Sequence, residues 1–146
     1  MPEQQTLQRA RRDAEQGKSP STQAGEFVRE QIHHIREGKH GARSAKQAIA
    51  IGLSEARRAG VSLPPPKGRG ETSRKARQDI AAGKRKHRVS PTRSRATREA
   101  LKKEGRSAAS TTALSRQAKQ AARKRSAGSR AQAAKKAAAT RRRRGS

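Results

Sequence analysis

A mostly α-helical chain without sheet is what these 146 residues predict. Three features carry that expectation. Alanine fills 27 positions and favours helix while burying little area. The few large apolar residues recur at helical spacing. Serine, threonine and glycine stand where helices begin and end. Leu, Ile, Val and Phe together supply only 14 of the 146 residues. That lies below the roughly 20% at which a highly charged chain is expected to be disordered. One small packed unit is therefore expected, a helical hairpin at about 22–60, followed by isolated or disordered basic helices.

The first 21 residues mix both charge signs without a hydrophobic run and are expected as a flexible segment. Folding information begins at Thr22. In TQAGEFVREQIHHIREG (22–38), Val28, Ile32 and Ile35 fall at helical spacing with Phe27 beside them, and Gly38 is placed as a stop. In SAKQAIAIGLSEARRAG (44–60), Ser44 and Gln47 fit a capping box, and Ile49, Leu53 and Ala56 line one face. Gly60 follows where left-handed geometry is needed. The hairpin module is thus 22–62, with Phe27, Val28, Ile32, Ile35, Ile49, Leu53 and Val61 as its expected core. Such a core is marginal against the entropy of ordering the chain, so a partner or second copy is expected to support it.

LPPPKGRG (63–70) stops any helix and reads as an extended linker. The charge changes there too. Residues 1–70 carry 13 basic and 7 acidic side chains, residues 71–146 carry 25 and 4. Within 71–146, expected to be largely disordered, three weaker helices are plausible. Thr72 or Ser73 caps the first, which closes at Gly83. Ser90-Pro91 starts the second, which ends at Gly105 and includes a Glu99–Lys103 pair. Ser110 or Thr111 caps the third, with an alanine-rich extension to Thr140.

Composition also excludes functions. The chain has no cysteine, which removes disulfides and thiol chemistry. No apolar run approaches the roughly 18 residues of a membrane span. No nucleophile–base pair or phosphate-loop pattern is visible, so no enzyme, cofactor or small-molecule substrate is expected. His33 and His34 point about 100° apart on a helix. They cannot chelate one ion without a third element, so no metal site is expected, with His40 likewise solvated or partner-facing.

Positive charge is what remains. Net charge is +27 and the pI is near 12, which makes nucleic acid the expected partner. Residues 105–146 hold thirteen basic residues, no acid and one leucine. Arg116, Lys119 and Arg123 share one helix face at i, i+3 and i+7. The expected phosphate contacts are these three with Arg93, Arg95, Arg98, Lys102, Lys124, Arg125, Arg130, Lys135, Lys136, Arg141, Arg142, Arg143 and Arg144. Base stacking is unavailable with Phe27 as the sole aromatic residue, and no rigid element presents polar groups to read bases. Of two Ser-Pro sites, Ser19-Pro20 lacks a basic residue two positions on, whereas Ser90-Pro91 is compatible with a plain helix start. The second, followed by Thr92-Arg93, also resembles the turn units of linker-histone tails.

QAIAIGLSEARRAG (47–60), preceded by FVREQIHHIREGKHGARSAK (27–46), resembles a bacterial family of small basic proteins of unknown function with the motif QAIAIALSEAR. Gln47, Ala48, Ile49, Ala50, Ile51, Ser54, Glu55 and Ala56 fit. Gly52 departs, standing where alanine is usual, which implies a slightly looser second helix. The tail is similar, by composition, to linker-histone-like bacterial proteins, and members of the family are often labelled DNA-binding. The combined expectation is non-sequence-specific DNA binding in a bacterial nucleoid within the cytoplasm, with possible self-association through the hairpin. RNA or ribosome association, and an adaptor for an acidic protein, are the alternatives.

Overall fold

The structure is a computed structural model and describes residues 2–85 and 90–145. Its described residues contain seven α-helices and no strand: α1 (Gln4–Glu15), α2 (Pro20–Arg36), α3 (Ala45–Arg58), α4 (Glu71–Lys84), α5 (Pro91–Lys102), α6 (Thr111–Arg123) and α7 (Ala127–Arg144). A 3₁₀ turn spans Ser107–Ala109. The chain divides into two units, 1–110 and 111–146. Among the described residues no helix is long and apolar enough to cross a membrane.

The first unit is built on the expected hairpin. Ser19 accepts from the Thr22 N–H, with Pro20 in the first turn, so α2 starts two residues before Thr22. Ser44 Oγ accepts the Gln47 N–H at 3.1 Å, while the Gln47 side chain reaches back to the Arg43 N–H and not to that of Ser44. Gly38 and Gly60 take φ of +80° and +97° just past the two helix ends, where only glycine is unstrained. Phe27 clusters with Ala24 and Ala56, whereas Ile35 clusters with Ala48, so the helices run antiparallel. Phe27 and Ile35 are fully buried. Val28, Ile32, Ile49, Leu53 and Val61 are only half-buried. The buried stripe of α3 is instead Ala45, Ala48, Gly52 and Ala56.

Gly52 accounts for that shift. A Cβ there would stand 2.6 Å from Val28 Cα and 2.8 Å from Val28 N. The two backbones meet at this point, so glycine here tightens the hairpin instead of loosening α3.

Three further segments differ from expectation. Residues 4–15 form a helix on α2 in place of a flexible segment, burying Thr6, Ala10 and Asp13 at i, i+4 and i+7. Residues 71–84 form α4 on α3, burying Ser73, Ala76 and Asp79. Ser73 is no cap, since its hydroxyl donates to the Pro66 carbonyl at 2.9 Å, and Gly70 precedes the helix. The expected linker is tied down by that bond and by buried Arg57, which donates to the carbonyls of Leu63 and Pro64. Finally, the chain after α5 returns to the hairpin. Gly41 and Ala42 N–H groups donate to the carbonyls of Leu101 and Gly105, and Arg36 Nε donates to the Ala109 carbonyl. Ala108 and Ala109 complete the Ile35 cluster. The hairpin is thus packed against α1, α4 and the segment 107–109.

In the second unit, the expected continuous helix breaks. α6 ends at Arg123, and Ser126 caps α7 by accepting the Ser129 N–H at 3.2 Å. Neither helix has a buried residue. The residues expected to be disordered are therefore helical, without a core of their own.

Candidate nucleic-acid interface

All eleven acidic residues lie between Glu3 and Glu104, so residues 111–146 carry twelve cations and no acid. The expected contact residues are all exposed. Beyond Arg142, none of them forms an ion pair with a carboxylate among the described residues. Their arrangement differs from helix to helix.

On α6, Arg116, Lys119 and Arg123 line one open groove with Thr111, Thr112, Ser115 and Gln120. Arg116 and Arg123 stand two turns apart, about 10.5 Å along the axis. Ala113, Leu114 and Gln117, which are half-buried, occupy a different face. On α5, Arg95, Arg98 and Lys102 repeat the i, i+3, i+7 spacing, while Arg93 projects from the opposite side. On α7, by contrast, Arg130, Lys135, Lys136, Arg141, Arg142, Arg143 and Arg144 are distributed around the whole circumference. Lys124 and Arg125 lie in the break between α6 and α7. Both Ser-Pro sites sit at helix starts, Ser19 before α2 and Ser90 before α5. The Glu99–Lys103 pair does not form; Glu104 pairs with Arg43 at 3.9 Å instead.

The acids are used inside the first unit. Asp79, 2% exposed, accepts from Ser54 Oγ, Arg58 Nε and Lys75 Nζ at 2.7–2.9 Å. Burial alone would raise its carboxyl, but the bonds from Lys75, Ser54 and Arg58 hold it below the usual aspartate value. Arg9 pairs with Glu26, fastening α1 to α2, and Lys18 pairs with Asp13, holding the turn between them against α1.

A second polar cluster was not anticipated. Glu3 precedes α1 and donates its N–H to buried Glu30 at 2.8 Å. Its own carboxylate meets His34 Nε2 at 2.9 Å and Lys39 Nζ at 3.4 Å. Hydrogen bonds from His34 and Lys39 hold the Glu3 carboxyl below its ordinary value. Alongside, Gln31 Nε2 donates to Glu55, and Gln31 Oε1 meets His40 Nε2, at 2.8 and 2.9 Å. Burial, reinforced by the charge of Glu30, raises the Glu55 carboxyl. The one sequence signal for this cluster was Glu30 and His34 at i, i+4; Glu3 is brought to them only by the packing of α1.

The described residues are thus all-helical, with exposed cations along α5 in the first unit and along α6 and α7 in the second. Within them, residues 17–67, which span α2, α3 and the chain as far as Lys67, match a family of unknown function (DUF6496). No curated protein and no solved structure matches the chain.

Proposed function

We propose that this is a non-sequence-specific DNA-binding protein of the bacterial nucleoid, acting in the cytoplasm by phosphate contact and without catalysis. The observation that carries the reading is the separation of charge. Every Asp and Glu lies before residue 105, whereas residues 111–146 carry twelve cations, ten on α6 and α7 and two in the break between them. The α6 stripe supplies cations at successive turns, flanked by hydroxyls and an amide able to donate to phosphate oxygens. Base reading is not part of the proposal. Asparagine is absent, and the glutamines at 117, 120 and 132 stand on helices with no buried anchor.

The test is duplex DNA affinity of the full chain as a function of salt. Replacing Arg116, Lys119 and Arg123 together by glutamine should lower the log–log salt slope by about 2.7, since each lost phosphate contact contributes about 0.9. An unchanged slope would remove α6 from the interface. Tighter binding to structured RNA than to duplex DNA at equal salt would replace DNA by RNA as the ligand.

A further inference from the structure

We propose that Glu3, Glu30 and His34 form a binding site for a divalent transition-metal ion of the zinc type. Glu30 and His34 stand one turn apart on α2, and Glu3 is delivered by the start of α1. One donor atom from each lies within 4.8 Å of the others. His34 Nε2 is 2.9 Å from Glu3 Oε1 and 3.7 Å from Glu30 Oε1. Neighbouring donors around a tetrahedral ion with bonds near 2.0–2.1 Å stand roughly 3.3 Å apart, so the two separations bracket the required one.

An independent observation points to a ligand. Glu30 is 4% exposed, and its Oε2 is the sole buried side-chain oxygen or nitrogen without a hydrogen-bond partner among the described residues. A buried carboxylate oxygen left without a partner is costly. Glu30 Oε2 stays without one in a chain that carries 38 lysines and arginines. Lys39 pairs with Glu3 and Glu37, not with Glu30. That oxygen belongs to the carboxylate whose Oε1 faces His34, so a metal ion between the three side chains supplies the buried carboxylate with a counter-charge and takes the Nε2 lone pair of neutral His34, any proton on that nitrogen passing to solvent.

The donor set selects the ion class. One imidazole with two carboxylates suits zinc and its first-row neighbours, whereas calcium and magnesium favour all-oxygen shells. Three protein ligands leave a fourth position for water. Because Glu3 and Glu30 belong to different elements, the ion fastens the beginning of α1 to α2. This role is independent of the nucleic-acid reading.

The experiment uses the full-length, chelator-stripped chain. Cobalt(II) serves as the spectroscopic probe, zinc as its competitor, and the thermal midpoint as a second readout. One equivalent of zinc should displace cobalt and raise the midpoint by roughly 5 °C at saturation. His34→Ala and Glu3→Gln should each weaken binding by about tenfold or more, with His33→Ala unchanged. Glu3 is half-exposed, so its variant keeps the fold even if Glu30→Gln does not. The proposal is overturned if zinc leaves both the spectrum and the midpoint unmoved. It is equally overturned if the His34 and Glu3 variants bind like the wild type.

Discussion

Two carboxylates on adjacent helices, α3 and α4, show how burial and partners set opposite charge preferences. Asp79 on α4 is buried but receives three donors, and its lowered pKa stabilises the fold above the ordinary aspartate range. Glu55 on α3 is half-buried, with Gln31 as its side-chain donor and Glu30 as a like charge, and its pKa is raised. A raised carboxylate favours the fold most fully below the unfolded value, and that contribution is lost as pH rises through the folded value. At neutral pH, Glu55 therefore opposes folding. Glu55→Gln should raise the unfolding midpoint at pH 7, because the amide oxygen still accepts the Gln31 N–H. The gain should shrink and vanish as pH falls into the ordinary glutamate range. Denaturant melts of both proteins across pH 3–8, a range chosen about the reference carboxylate values, check this; a gain constant with pH would mean that charge is not the cause.

At the level of helices, what was legible was the periodicity of large apolar residues, and what was not was packing by small ones. Phe27 and Ile35 placed α2, Ser44 placed the start of α3, and Gly38 and Gly60 placed their ends. The buried stripes of α1 and α4 read Thr6-Ala10-Asp13 and Ser73-Ala76-Asp79, which hold one alanine and two polar residues each. No hydrophobic pattern marks such a stripe, because its stability comes from close helix approach and from hydrogen bonds made across it. Gly52 is the extreme case, since it lets α3 touch the α2 backbone. Gly52→Ala gains about 1 kcal/mol of helix propensity but must push the helices apart at Val28. Overpacking costs about 1–3 kcal/mol, so the net change should be destabilising despite the better helix former. Thermal melts decide the sign, and a stabilised Gly52→Ala would mean that the crossing is looser than 2.6 Å implies.

Over the whole chain, the acid-free basic stretch was legible from charge alone, whereas the boundary of the folded unit was not. The acid-free stretch begins at Gly105, which suggests cutting the chain there. The packing places the boundary six residues later. Ala108 and Ala109 are 4% and 0% exposed against Ile35, Ala42 and Ala48, and Arg36 bonds the Ala109 carbonyl. Gly41, whose Cβ would collide with the Glu104 carbonyl, shows how closely this segment is seated. Two truncations separate charge from packing. A chain ending at Ser110 removes twelve cations and no buried residue. It should melt within about 2 °C of the full protein, as expected when no large free-energy term is lost, yet lose most of its DNA affinity and salt dependence. A chain ending at Glu104 removes one further cation, Arg106, but also the two alanines that close the Ile35 cluster. It should lose about 2 kcal/mol or more of stability through the exposed apolar surface and the unpaired Arg36 and Ala42 donors. If instead the two truncations melt alike, the 105–110 segment is merely resting on the hairpin. If the chain ending at Ser110 binds DNA as tightly as the full protein, the first unit holds the interface, and the stripe on α5 becomes the surface to test.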